Sequence, residues 1–328
     1  MKIKLGIIGT GIAARDLHLP ALGNLKDKFE ITMICNHTEP KAKEFSGLVG
    51  GVPYVLDYHE LLRNPDVEAV DIILPVELNC SVTKDALEAE KHVIVEKPIA
   101  SNLSDAELMT TFVTKYKRVM MVAENCRYDP SFRRINRMVQ DGMIGQPYSV
   151  FWNHFSTLEM DNKYAKTKWR INHQYPGGFV TDAGIHNIAV LRDIFGDIRS
   201  GISFNRSVNP AIGKMDSMSF SFVFQCGVNG VFNTYFSAQG MNENRLVICG
   251  KDGTLILEGN KIVLKQQGRP DIEETVESEG GYRGQFEDFY DCIMDGKEPL
   301  STFQEAYKDF RTIVCAIDSA RKWDNLGM

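Results

Sequence analysis

Long apolar runs, paired cysteines and blocks of like charge are all missing from these 328 residues. No apolar stretch approaches the roughly 18–20 residues that cross a bilayer, which excludes a helical membrane protein. The seven cysteines, at 35, 80, 126, 226, 249, 292 and 315, stand at least 23 residues apart. That spacing excludes a local Cys-x-x-Cys redox or zinc pair, and the odd count fits free, reduced core thiols. Lys and Arg total 37 against 43 Asp and Glu, a formal net charge of −6. Without a Lys/Arg cluster, a nucleic-acid backbone is not the expected partner. Internal repeats and low-complexity segments are absent too. A cytoplasmic protein acting on a small molecule, with no membrane or nucleic-acid partner and no metal, is the expectation.

What is present is ordinary globular material, 43% hydrophobic and 24% charged, in a chain long enough for two domains. The opening MKIKLGIIGTGIAA fits a buried strand and turn better than a leader. Strand-like runs at Lys4–Ile8, Glu30–Cys35, Ala69–Pro75, His92–Glu96 and Val119–Ala123 alternate with helical spacing, as at Cys80–Glu90 and Ser104–Lys117. Nearly all-apolar strands alternating with helices indicate a parallel sheet covered on both faces. After residue 123 the pattern changes. Helices over 129–141 and 181–195 flank a strand-like run at 148–155. Closely spaced runs come next at 201–208, 217–225, 228–237, 244–250, 253–258 and 261–266, separated by Gly, Asn and Asp turns. Two helices, about 282–295 and 302–323, close the chain. The fold class is therefore α/β plus α+β, with a Rossmann-type domain over 1–123. An open mixed or antiparallel sheet domain succeeds it over 124–328. A broad open sheet face seldom stays bare, so a homodimer or homotetramer through it is expected.

Gly9-Thr10-Gly11-Ile12-Ala13-Ala14 follows the first strand and opens a helix. The first Gly permits the tight turn, the second lets backbone approach a pyrophosphate, and Ala14 stands where helix and strand pack closely. Phosphate charge then meets the positive end of the helix. An NAD-binding second strand ends in Asp or Glu, but this one ends Cys35-Asn36-His37-Thr38, with Glu39 a little late. Asn36, His37 and Thr38 can donate hydrogen bonds and Lys41 adds positive charge, which favours NADP over NAD.

The strand at 92–96 runs into Glu96-Lys97-Pro98. Ligands of open parallel sheets sit at the carboxyl ends of strands, so Lys97 is placed to move a proton there. A second cluster runs from Pro176-Gly177-Gly178 through Asp182 to His186. Asp182 and His186 are four residues apart and share a helical face. No third ligand accompanies them, which argues against zinc.

Taken together, these motifs resemble the glucose–fructose oxidoreductase / inositol dehydrogenase / MocA family along essentially the whole chain. The matching marks are the Gly9–Ala14 turn, Glu96-Lys97-Pro98, Asn125-x-Arg127, Trp169-Arg170, and Gly177-Gly178 through Asp182 and His186. The resemblance implies an NAD(P)-dependent dehydrogenase or reductase acting on CH–OH groups of sugars, polyols and their derivatives. It implies Lys97 as the catalytic lysine with Asp182 and His186 in the substrate cleft, either Lys97 or His186 taking the hydroxyl proton. Trp169, Arg170 and Asn125 are implied along the cofactor, and Arg127, Tyr128, His154, Lys168 and Tyr235 are weaker substrate candidates. Where many relatives read Thr-Pro-Asn-x-x-His, this chain reads Leu74-Pro75-Val76-Glu77-Leu78-Asn79. Pro75, Glu77 and Asn79 are expected to supply the cofactor contacts of that loop, and Glu96 and Lys97 to touch the cofactor from the end of the neighbouring strand. The competing expectation is a catalytically silent NAD(P)-binding sensor of the same fold, against which an intact acid–base set counts.

Overall fold

The computed structural model describes residues 1–159, 161–163, 167, 173 and 175–321, Arg321 by its backbone alone. The apolar runs of the first 123 residues form β1 (Ile3–Ile8), β2 (Phe29–Cys35), β4 (Ala69–Ile72), β5 (His92–Glu96) and β6 (Met120–Ala123), joined by the short β3 (Tyr54–Val55). They pair in the order β3-β2-β1-β4-β5-β6, every pair parallel. The crossovers are a helical stretch over 12–23, π-wound at Ala14–His18 and continued by α1 (Leu19–Gly23), then α2 (Glu39–Leu48), α3 (Tyr58–Arg63), α4 (Asn79–Glu88) and α5 (Leu103–Lys115). Parallel pairing forces such crossovers, because each new strand must start again at the same edge. It also brings every carboxyl end to one edge, with the reversal of strand order between β1 and β4. The strand expected over 69–75 stops at Ile72, and a 3₁₀ turn follows at Val76–Leu78.

The second sheet has eight strands among the described residues: β7 (Pro147–Phe155), β8 (Ile198–Arg206), β9 (Ser217–Phe224), β10 (Asn229–Tyr235), β11 (Glu243–Gly250), β12 (Thr254–Glu258), β13 (Lys261–Lys265) and β14 (Ile272–Thr275). Their order is β14-β13-β12-β11-β7-β10-β9-β8. Of these pairs only β7 and β10 run parallel, so the sheet is mixed as expected. Alternation of side chains separates two faces. Gly230, Val150, Ile248, Leu255 and Leu264 lie in one cross-strand row on the core face. Val231, Phe151, Val247, Ile256 and Val263 form the neighbouring row on the other face, which is also apolar. Helices α6 (Pro130–Gln140) and α7 (Phe179–Phe195) belong to this half, and α7 packs on β9 and β10. Helices α8 (Tyr282–Asp295) and α9 (Phe303–Arg321) close the chain.

The chain forms two compact units, one of residues 1–125 with 282–307 and the other of 126–281 with 308 onward. Treating 124–328 as one block thus overlooks a return of the chain to the first unit. The physical reason lies in α8, whose fully buried Phe286 and Phe289 rings pack on Phe29 of β2. Val122 of β6 also donates its amide to the Ser301 carbonyl at 3.0 Å. Apolar residues on α8 mark a helix with a buried face, but nothing in their spacing says which sheet they cover.

Candidate active site

At the carboxyl edge of the first sheet, Gly9 and Gly11 do different work. Gly9 sits at φ +102, and a Cβ there would lie 2.0 Å from the Ile73 carbonyl oxygen. Only glycine fits, because both the backbone conformation and the neighbour demand it. Gly11 is exposed, and a Cβ there would meet nothing within 4 Å. Protein packing gives no reason for a glycine at 11; an open approach for a ligand's phosphates does. The turn therefore fits a dinucleotide. Thr10 is buried and its Oγ1 accepts from Asn36 Nδ2 at 2.7 Å, while Asn36 Oδ1 accepts from the Thr38 amide at 2.8 Å. Asn36 thus ties the end of β2 to the turn. His37 and Lys41 are exposed, Thr38, Ile12 and Ala13 half-buried, and Pro75 and Glu77 exposed on the loop after β4.

Lys97 follows the last residue of β5 and is half-buried. Its backbone is held from both sides. Asn79 Nδ2 donates to the Glu96 carbonyl at 2.8 Å and to the Pro98 carbonyl at 2.9 Å, and the Lys97 amide donates to Glu96 Oε2 at 3.0 Å. The Lys97–Pro98 peptide is cis. Asn79 and Glu96 were expected to touch the cofactor. Instead Asn79 is buried with both amide hydrogens taken up, and the buried Glu96 carboxylate faces the Lys97 amide and His18.

His18 lies in the core of this unit. Its Nδ1 is 2.8 Å from Asp71 Oδ2 and its Nε2 is 2.8 Å from Glu96 Oε1. Burial alone would lower the His18 pKa, but the two carboxylates outweigh it and raise it to about 10. A ring protonated on both nitrogens can donate to the two carboxylates at once, while burial pushes the Asp71 carboxyl above the usual carboxylate range in spite of His18. The Tyr282 and Phe286 rings of α8 lie 6.2 and 5.3 Å from the imidazole.

In the second unit, the Gly177-Gly178 turn starts α7. Both glycines have positive φ, and a Cβ on Gly178 would stand 2.6 Å from His173 Nε2. Asp182 is buried in the first turn of α7 and His186 half-buried in the next. His154 on β7 hydrogen-bonds Asn187 of α7, and burial lowers its pKa in spite of that bond. Asp182, His186 and the His154–Asn187 pair therefore gather on α7 and the sheet strand that faces it. Asn187 and His173 escape a reading of the sequence, since an Asn in a helix and an isolated His carry no pattern.

Two of the weaker candidates belong elsewhere. Tyr235 pairs in register with Phe155, and Thr234 with His154. Strand alternation thus puts Tyr235 on the face opposite His154, where it stacks on Phe155 and hydrogen-bonds Ser219. Arg127 is buried, with Nη2 2.7 Å from Asp309 Oδ2 and Nη1 3.6 Å from Asp193 Oδ1. Arg192 shares the Asp309 carboxylate and pairs with Asp197 at 2.5 Å. Arg127 is thereby a member of a buried ion network in the second unit. Asn125 is buried and Tyr128 half-buried in the 3₁₀ turn Asn125–Tyr128. Lys168, Trp169 and Arg170 lie outside the described residues.

Comparison with known proteins matches both halves of the chain to paired family models. Residues 3–124 match the Gfo/Idh/MocA model described as an oxidoreductase family, NAD-binding Rossmann fold. Residues 136–325 match its companion, the C-terminal alpha/beta domain of the same oxidoreductase family. The uncharacterized protein YMR315W of Saccharomyces cerevisiae is 33% identical over 263 residues, 78% of this chain and 74% of that protein. The myo-inositol 2-dehydrogenase of Thermotoga maritima is 24% identical over 275 residues, covering 81% of this chain and 79% of the relative. The crystal structure of an oxidoreductase from Thermotoga maritima superposes with a TM-score of 0.93 at 37% identity, covering 98% of this chain and 97% of that one.

The contrast between the two glycines is testable. Gly11→Val is expected to leave the melting temperature within about 2 °C of wild type, since the added carbons meet open space. Its affinity for NADH and for NADPH should fall at least about ten-fold, read by fluorescence titration. Gly9→Val should lower the melting temperature itself. Equal stability losses in the two variants would contradict the assignment of Gly11 to a ligand.

Proposed function

The chain belongs to the Gfo/Idh/MocA family of NAD-binding oxidoreductases, and from that premise we propose that it moves a hydride between nicotinamide and a CH–OH carbon of a sugar, polyol or related compound. The observation that carries this reading is Lys97. It leaves the carboxyl end of β5, on the same sheet edge as the Gly9–Gly11 turn, with its amide held by Glu96 and the carbonyls of its two neighbours, Glu96 and Pro98, held by Asn79. A lysine on a surface loop would need no such bracing. Kinship to a myo-inositol 2-dehydrogenase supports the polyol class.

The cofactor held at the Gly9–Gly11 turn would supply the site that takes up or gives back the hydride. The rest is done by the chain's own groups. In the oxidation direction the carbinol hydroxyl must lose its proton as the carbon–hydrogen bond breaks, and an amine or imidazole accepts it. Lys97 or His186 is proposed as that acceptor, and Asp182, on the same helical face as His186, orients the imidazole. In reduction the same group returns the proton to the carbonyl oxygen.

NADP is the proposed cofactor. Asn36 stands where an NAD enzyme carries an acid, and its amide bridges Thr10 and Thr38. With no carboxylate at that position to repel a 2′-phosphate, the exposed His37 and Lys41 supply hydrogen-bond donors and positive charge. The apolar row Val231, Phe151, Val247, Ile256 and Val263, with Phe151 44% exposed, supports assembly as a homodimer or homotetramer through that sheet face.

Lys97→Ala tests the chemistry. Turnover in a screen of aldoses and polyols that includes D-glucose and myo-inositol should fall at least about a hundred-fold, with NADPH affinity within about three-fold of wild type. Retained turnover would contradict the role of Lys97. Light scattering at micromolar concentration should read a dimer or tetramer, and a monomeric mass would contradict the proposed assembly.

A further inference from the structure

We propose that His18 and Asp71 are positioning residues for Lys97, acting on its backbone through the Glu96 carboxylate. The proposal deepens the reading above and rests on Lys97 as the proton carrier.

The contacts form one line. Asp71 Oδ2 meets His18 Nδ1 at 2.8 Å, His18 Nε2 meets Glu96 Oε1 at 2.8 Å, and Glu96 Oε2 accepts from the Lys97 amide at 3.0 Å. Both Glu96 oxygens are therefore held, one by the imidazole and one by the peptide of the residue it precedes. Register makes the line possible. Asp71 pairs with Ile94, and Glu96, two residues on, returns to the same face of the sheet. The π-wound run Ala14–His18 delivers His18 to that face, and such runs occur preferentially at functional sites.

Stability does not account for the cluster. The His18, Asp71 and Glu96 side chains are 1%, 0% and 11% exposed. Desolvating such groups cancels most of their mutual attraction, and apolar replacements of buried ion pairs are often neutral or stabilising. Asp71 Oδ1 has no hydrogen-bond partner among the described residues, so the cluster is not even fully satisfied. Its output is directional instead. With the imidazole in place, Glu96 has one orientation, and that orientation fixes the peptide from which the Lys97 side chain springs. Asn79 fixes the carbonyls on either side. Without the imidazole, Glu96 Oε1 loses its partner, and the carboxylate is free to turn away from the Lys97 amide.

The test compares wild type with His18→Gln and Asp71→Asn in the full chain. Amide hydrogen exchange, resolved at Lys97 by fragmentation mass spectrometry, should be at least about ten-fold faster in His18→Gln, while amides of β1 and β2 keep their protection. With D-glucose or myo-inositol and NADP, kcat should fall about ten-fold while the KM for NADP stays within about two-fold. A lower melting temperature with the Lys97 amide still protected would overturn the proposal, since that is what a purely structural cluster gives. A raised KM with unchanged kcat would overturn it as well. Should His18→Gln fail to fold, Asp71→Asn, which keeps the shape and an acceptor for Nδ1, carries the same readouts. Exchange needs no turnover, so an active Lys97→Ala variant would remove the catalytic reading while leaving the positioning of Lys97 to be decided by exchange alone.

Discussion

Two residues along a strand, a side chain returns to the same face, and in the first sheet that constraint places nearly every group at the candidate site. It puts Glu96, two residues beyond the Ile94 that pairs with Asp71, on the same face as Asp71, and the next residue, Lys97, leaves the sheet at its carboxyl edge. Parallel pairing puts the Gly9–Gly11 turn, the end of β2 and the loop after β4 on that same edge. The backbone of that edge is held by side chains. Asn79 braces the carbonyls around Lys97, Glu96 its amide, and Asn36 joins Thr10 to Thr38. A reactive group on a loop is only as well placed as the hydrogen bonds of its neighbours.

The same two-residue alternation governs the second sheet, with a different result. One face takes α7 and supports His154 against Asn187. The other carries a row of Val, Phe and Ile side chains across five strands. Adjacent residues of one strand thus serve unrelated purposes, as His154 and Phe155 do. The buried Asp309 network, with Arg127 and Arg192, lies within this unit and ties α9 to α7 and to the turn before α6.

Most of the strands and helices were legible in the sequence, because apolar periodicity is local. His92–Glu96 was read to the residue, and most of the longer elements to within two or three. The Gly9–Gly11 turn and the Glu96-Lys97-Pro98 loop were legible because glycine and proline carry their reasons with them. The features that escaped are non-local or too short. The two-residue β3 gives periodicity nothing to register. The return of α8 to the first unit depends on which aromatic rings meet, and Phe286 gives no sign that Phe29 is its partner. The intramolecular partners of Asn79, Arg127 and Tyr235 escaped for one reason. A polar residue at a plausible position says nothing about which way its side chain turns or what it already bonds. His18, Asp71 and Glu96 stand far apart in sequence, and only the register of β4 and β5 makes them a group.

The account turns on the carboxyl edge of the first sheet being a nicotinamide site without an acid at the end of β2. Titration of the purified protein with NADPH and with NADH, each monitored by fluorescence, tests that most directly. The account predicts saturable binding of both, with NADPH at least about ten-fold tighter. Tighter NADH would contradict the role given to Asn36, His37 and Lys41, and binding of neither would contradict the account as a whole.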